Sequence, residues 1–198
     1  MKRSLKNNDG FTLIEILVVV AIIATMTAVV VPRVSTIFNR DKEAFALTTG
    51  LIARTFDDSF LKGKTNFLAI YLNNQDPKRI EQIPKEQREL FNHSNALAVL
   101  ELEDNQFVES PRKIFNLREF PKSFTFERVL FSSGTTIEEG IVLIPFFPNG
   151  SSENFIIHVN VNETQPWSIK IDKFKKEPGV IHGFIDYGDE RDRRGRRR

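Results

Sequence analysis

Few side chains in these 198 residues stand where they could do chemistry. His93, His158 and His182 are spread thinly, with no HExxH, no GxSxG and no Gly-rich phosphate loop around them. His158 sits inside a strand pattern and reads as a sheet residue rather than a ligand. Asp57 and Asp58 are neighbours on a predicted helix, so their carboxylates do not face one another. Asp186, Asp189, Glu190 and Asp192 carry enough oxygen for a hard cation but lack the spacing of a Ca²⁺ loop, and read as a solvated acidic stretch. The chain has no cysteine, which excludes disulfides, thiol catalysis and Cys-based zinc sites. These residues predict no enzyme, no cofactor and no metal site.

Two other features carry charge in a telling place. Glu15 is the single charged residue in the apolar run 11–31. An unpaired acid deep in a bilayer costs roughly 2.5–3.5 kcal/mol on insertion scales, enough to favour a neighbour that offers a cation. At the other end, Arg193, Arg194, Arg196, Arg197 and Arg198 fall within the last six residues. Guanidinium forks suit phosphates, so this tail is open to contact with DNA or with an acidic partner. It equally fits a plain solvated tail: no aromatic residue is present there to stack bases, and the acids at 186–192 dilute its start.

The elements that would position these groups follow from hydropathy. An apolar run of about 20 residues is long enough to cross a bilayer as a helix, and Lys2, Arg3 and Lys6 before it hold that end in the cytoplasm. One continuous helix is predicted from 11 to about 62: apolar all round to 31, then amphipathic through Val34, Ile37, Phe38, Phe45, Thr48, Ile52, Phe56 and Phe60. Pro32 removes one backbone donor near the membrane exit, and Gly63 is a suitable stop. Short alternating runs follow. Strands are expected at 66–72, 96–102, 106–109, 124–131, 141–147, 154–161 and 167–174, with a weaker one at 180–185. A short helix is expected near 85–91. Pro148–Asn149–Gly150 is tight-turn chemistry, predicting a hairpin over 144–152. The fold class is α+β: a long N-terminal helix packed on an antiparallel β-sheet head. The segments are 1–10, preceding the helix; 11–32, the membrane-spanning part; 33–185, the folded domain (33–62 helix, 63–185 mainly β); and 186–198, a charged tail. The net charge is +2, and residues 1–10 alone supply it (Lys2, Arg3 and Lys6 against Asp9), so the remainder is close to neutral and has no global field for nucleic acid. With 18 Phe and no cross-links, the core is expected to rest on aromatic rings.

The stretch KxxxGFTLIEILVVVAII resembles the class III signal of type IV pilins and type II secretion pseudopilins: a short basic leader, Gly then Phe, and Glu at the fifth position after the cut. The resemblance implies that a prepilin peptidase cuts between Gly10 and Phe11 on the cytoplasmic face and methylates the new amino terminus at Phe11. An ordinary secretory signal is cut after its apolar segment and discarded; here the cut precedes it, so the helix is kept. Pro32 falls where pilin helices commonly carry a proline. The aromatic–Pro–Asn–Gly turn at 147–150, with the looser 117–121 segment, is similar to the carboxy-terminal region of the H-type minor pseudopilins and the related FimT-like minor pilins.

That resemblance implies a non-enzymatic subunit, a minor pseudopilin of a type II secretion system. It would be anchored once in the inner membrane with its head in the periplasm. Its partners would be other pseudopilins in a filament, the prepilin peptidase and the inner-membrane assembly platform. The alternative is a minor type IV pilin acting in pilus assembly or DNA uptake. Glu15 and Pro32 are the expected assembly residues. Glu15 keeps two readings, pairing with the terminal ammonium of a neighbouring subunit or snorkelling to nearby headgroups. Ala21, Ala24, Thr25, Thr27 and Ala28 either admit close helix–helix approach or are ordinary membrane-helix composition.

Overall fold

The computed structural model describes residues 13–75 and 77–188; the side chains of 29–40 and 77–79 lie outside that description. Helix α1 runs Leu13–Lys62 as a single element. Gly63, at φ +64°, follows it in the left-handed conformation that closes many helices and that glycine adopts freely. The chain divides into two compact units, Met1–Lys42 and Glu43–Arg198.

The second unit is α+β, as expected, but its strands form two antiparallel sheets. The first contains β1 (Asn66–Tyr71), β2 (Ala96–Glu103), β3 (Gln106–Glu109) and β7 (Ile141–Phe146) in the order β3-β2-β1-β7, with the short β4 (Arg118–Glu119) also on β2. The second contains β5 (Phe124–Phe131), β6 (Thr136–Ile137), β8 (Phe155–Val161), β9 (Gln165–Ile171) and β10 (Gly179–His182) in the order β10-β9-β8-β5-β6. Helices α2 (Pro77–Gln82) and α3 (Lys85–Phe91) fill the β1–β2 connection. The predicted short helix is α3; α2 is additional.

Alternation along the strands explains the layers. Leu68, Ile70 and Leu72 point into one apolar cluster with Leu97, Val99, Val142, Ile144 and Phe146, while Ala69 and Tyr71 point into another. The first cluster also takes Phe124, Phe126, Phe155, Ile157, Ile169 and Ile171 from the second sheet and Ala44, Leu51 and Ile52 from α1, so both sheets share one core with the helix. On its far face the first sheet is covered by Phe91, with Ile83 and Leu90 packed against that cluster. Tyr71 donates its hydroxyl to the Leu90 carbonyl at 2.8 Å, and burial pushes that hydroxyl's pKa well up. The apolar runs at 66–72 and 96–102 are long for a half-buried sheet because both faces are covered.

The α1 face against the core is less apolar than its periodicity predicts. Thr48, Thr55 and Ser59 are fully buried. Each hydroxyl donates to the carbonyl four residues earlier (2.8, 2.7 and 2.9 Å), so these small polar side chains are buried without leaving a donor unmet. Phe45 packs edge-on against Phe124 and Trp167 at 5.0 and 5.3 Å. Phe60, placed on the same stripe by spacing, is 60 % exposed.

The predicted hairpin over 144–152 is corrected. β7 pairs with β1, and β8 pairs with β5 and β9, so Pro148–Asn149–Gly150 carries the chain from one sheet to the other. Only a local bridge, Phe147 to Ser151, resembles a hairpin end. The turn chemistry was read correctly; strand partnership is non-local and leaves no mark in the turn.

Candidate assembly site

The start of α1 presents an unusual surface. Every large apolar side chain at 13–28 is at least half exposed. Thr25 and Thr27 turn their hydroxyls back onto the Ala21 and Ile23 carbonyls, the second at 2.7 Å, so both hydroxyls are satisfied within the helix. Apart from Glu15, what faces outward is almost entirely carbon, a surface that suits lipid or other helices. Glu15 lies in the first turn, where the exposed N–H groups of a helix end favour a carboxylate. Among the described residues no helix is long and apolar enough to cross a membrane. Of the predicted span, 11 and 12 lie outside the described residues, as do the side chains of 29–32. Gly10 and Phe11, the side chain of Pro32, and the arginines 193, 194, 196, 197 and 198 likewise lie outside them.

At the other end of α1, a charged network went unread in the sequence. Asp58 is buried; one carboxylate oxygen pairs with Arg112, and the other accepts from Asn66 at 3.0 Å and meets Lys62 at 3.2 Å. Buried Glu101 accepts from Ser110 at 2.7 Å and lies 3.9 Å from the same Lys62. The network joins α1 to β2 and to the segment after β3. Asp57, one residue earlier, points elsewhere and pairs with Lys176 at 2.6 Å. The two neighbouring carboxylates therefore diverge as predicted. The i,i+4 spacing of Asp58 and Lys62 was the one signal available for the buried pair.

The 147–151 turn seats on the same end of α1. Gly150 has φ +72°, and a Cβ there would stand 3.6 Å from Phe60 and 3.9 Å from Phe56. Its N–H donates to the Phe147 carbonyl at 3.1 Å, and Ser151 donates to the Asn149 side chain at 2.6 Å.

His158 is a buried sheet residue, as read, but its ring is fully engaged. Its Nδ1 accepts from Arg128 Nε at 2.9 Å, and its Nε2 lies 2.9 Å from the Ile185 carbonyl. Among the described residues no group of three or more His, Cys, Asp or Glu side chains could hold a metal ion.

A long helix leading into a β-rich head, with the sheets wrapped on the helix's second half, is the pilin-like α+β architecture, and residues 5–31 match the family model of the prokaryotic N-terminal methylation motif. The fold is similar to that of the minor pseudopilin EpsH from the type II secretion system of Vibrio cholerae. One crystal structure of that protein aligns at 11% identity with a TM-score of 0.50, covering 74% of this chain and 99% of that one. A second structure of it aligns at 9% identity and TM-score 0.49, covering 72% of this chain and 97% of that one. The sequence matches no curated protein.

Proposed function

We propose that this chain is a minor pseudopilin of the H type, built into a periplasmic filament of a type II secretion system that moves protein through the outer membrane. The observation that carries the reading is the coincidence, in one chain, of a prepilin methylation motif at 5–31 and a head whose fold spans 99% of a minor pseudopilin's length. In this reading the peptidase cuts between Gly10 and Phe11, and the apolar surface at 13–28 anchors the subunit and then packs among other subunits' helices. Glu15 meets the ammonium of a neighbour's Phe11, four residues or about 6 Å along a helix from its own terminus. The head does no covalent chemistry; its contribution is mechanical.

Deleting the gene and following both protein export and pilus formation tests the system. Lost export with intact pili supports the reading. Intact export with lost pili or lost DNA uptake would assign the chain to a type IV pilus instead.

A further inference from the structure

The outer face of the second sheet carries a feature that the filament role does not use. Beyond β10 the chain turns back at Gly183, whose φ is +92°, and lies across β9, β8 and β5. Gly183 donates to the Pro166 carbonyl at 2.8 Å. The buried Ser168 hydroxyl donates to the Gly183 carbonyl at 2.8 Å and accepts from the Ile185 N–H at 3.1 Å. Phe184 stacks flat on the His158 ring, centroids 4.4 Å apart and planes 8° from parallel. The Arg128 guanidinium sits 5.5 Å above the same phenylalanine.

Arg128 reaches this face because β5 is irregular. Its pairing with β8 slips between Phe126 and Arg128, leaving Glu127 as an extra residue. Regular alternation after Phe124 and Phe126 would turn position 128 into the core. The bulge turns it outward instead, beside His158, and sends Val129 inward.

We propose that residues 183–187 form a pH-sensitive strap, held down over the second sheet by the neutral His158 ring and released when that ring takes up a proton. Nδ1 accepts from Arg128, so the ring's single proton is on Nε2, donating to Ile185. Protonation fills Nδ1, ejects the Arg128 N–H, and sets two cations side by side beneath Phe184. The sheet blocks the ring from one side, so water reaches it only if the strap lifts. Burial is the largest influence on His158 and lowers its affinity for protons; Arg128 acts in the same direction, while the Ile185 carbonyl and Asp186 oppose it. The other charged groups nearby are accounted for. Glu138 pairs with Arg128 at 3.3 Å, Lys170 on β9 lies 3.6 Å from Asp172, and His182 on β10 packs edge-on against Trp167.

The sign follows from the lowered value. The neutral ring's contribution is whole above the ordinary histidine range, near pH 6.5, and is lost as pH falls below it. With at most one proton taken up per opening, the opening equilibrium rises by up to about tenfold per pH unit between the ordinary and the lowered value. Hydrogen exchange of the full chain, normalised for intrinsic rates, reads this directly. Amides of 183–187 should lose protection, by up to tenfold per unit, as pH falls below about 6.5, while β1 and β2 keep theirs. Glu138 and His182 stay in place in His158→Gln, which should abolish the pH dependence. A reciprocal measurement does not rely on that variant folding. In Phe184→Ala the strap is weakened at every pH, and the His158 titration followed by NMR should move up towards the ordinary histidine range. Strap protection that ignores pH in the wild type, dependence that persists in His158→Gln, loss of β1 and β2 protection together with the strap, or an unmoved His158 titration in Phe184→Ala would each overturn the proposal.

Discussion

Position 150 makes one demand that glycine meets without cost, a left-handed backbone, beside two phenylalanines of α1. The neighbours leave room for a methyl group, so the backbone decides. Gly150→Ala should lower stability by about 1–2 kcal/mol, the cost of a left-handed L-residue, measured by urea unfolding. Glu15 works at the same scale with a different readout. If its carboxylate pairs between subunits, Glu15→Ala should leave membrane insertion and cleavage intact and abolish recovery in the filament fraction; normal recovery would return it to the snorkelling reading. Single residues were unevenly legible. Gly150 declares itself because a Pro-Asn-Gly turn is a local signal. Arg128 does not, since only a bulge in the pairing of β5 with β8 decides which way it points.

Among elements, α1 was the easiest to foresee and the hardest to detail. Its length and stop at Gly63 follow from the apolar period and one glycine. Its buried threonines and serine do not, because their burial depends on how closely the sheets approach. The helix–sheet contact carries its own reporter, the single tryptophan, against which Phe45 packs. Phe45→Ala should cost about 3 kcal/mol, given that Phe45 is only partly buried, and move Trp167 emission to longer wavelength as water enters. The Asp58 network is a second tie between α1 and the head. Asp58→Ala would leave Glu101 with Lys62 and release Arg112. Because the Arg112 side chain is 51% exposed, the expected loss is about 2 kcal/mol, below that of a fully buried pair. Thermal unfolding of the variant beside Arg112→Ala tests this: similar losses are expected if the pair is the main contact of both.

For the whole molecule, the α+β class and most strand positions were legible from alternation, whereas the division into two sheets was not, since strand partners are chosen over distances no local pattern encodes. The two sheets are also interlaced along the chain. β5 and β6, which belong to the second, are made before β7, which completes the first. The first sheet therefore lacks an edge until residue 146 is present, and the second lacks one until 182. A polypeptide threaded amino end first could not close its head part-way through synthesis. Its two sheets would gain their last edge strands late, the first with β7 at residues 141–146 and the second with β10 at 179–182.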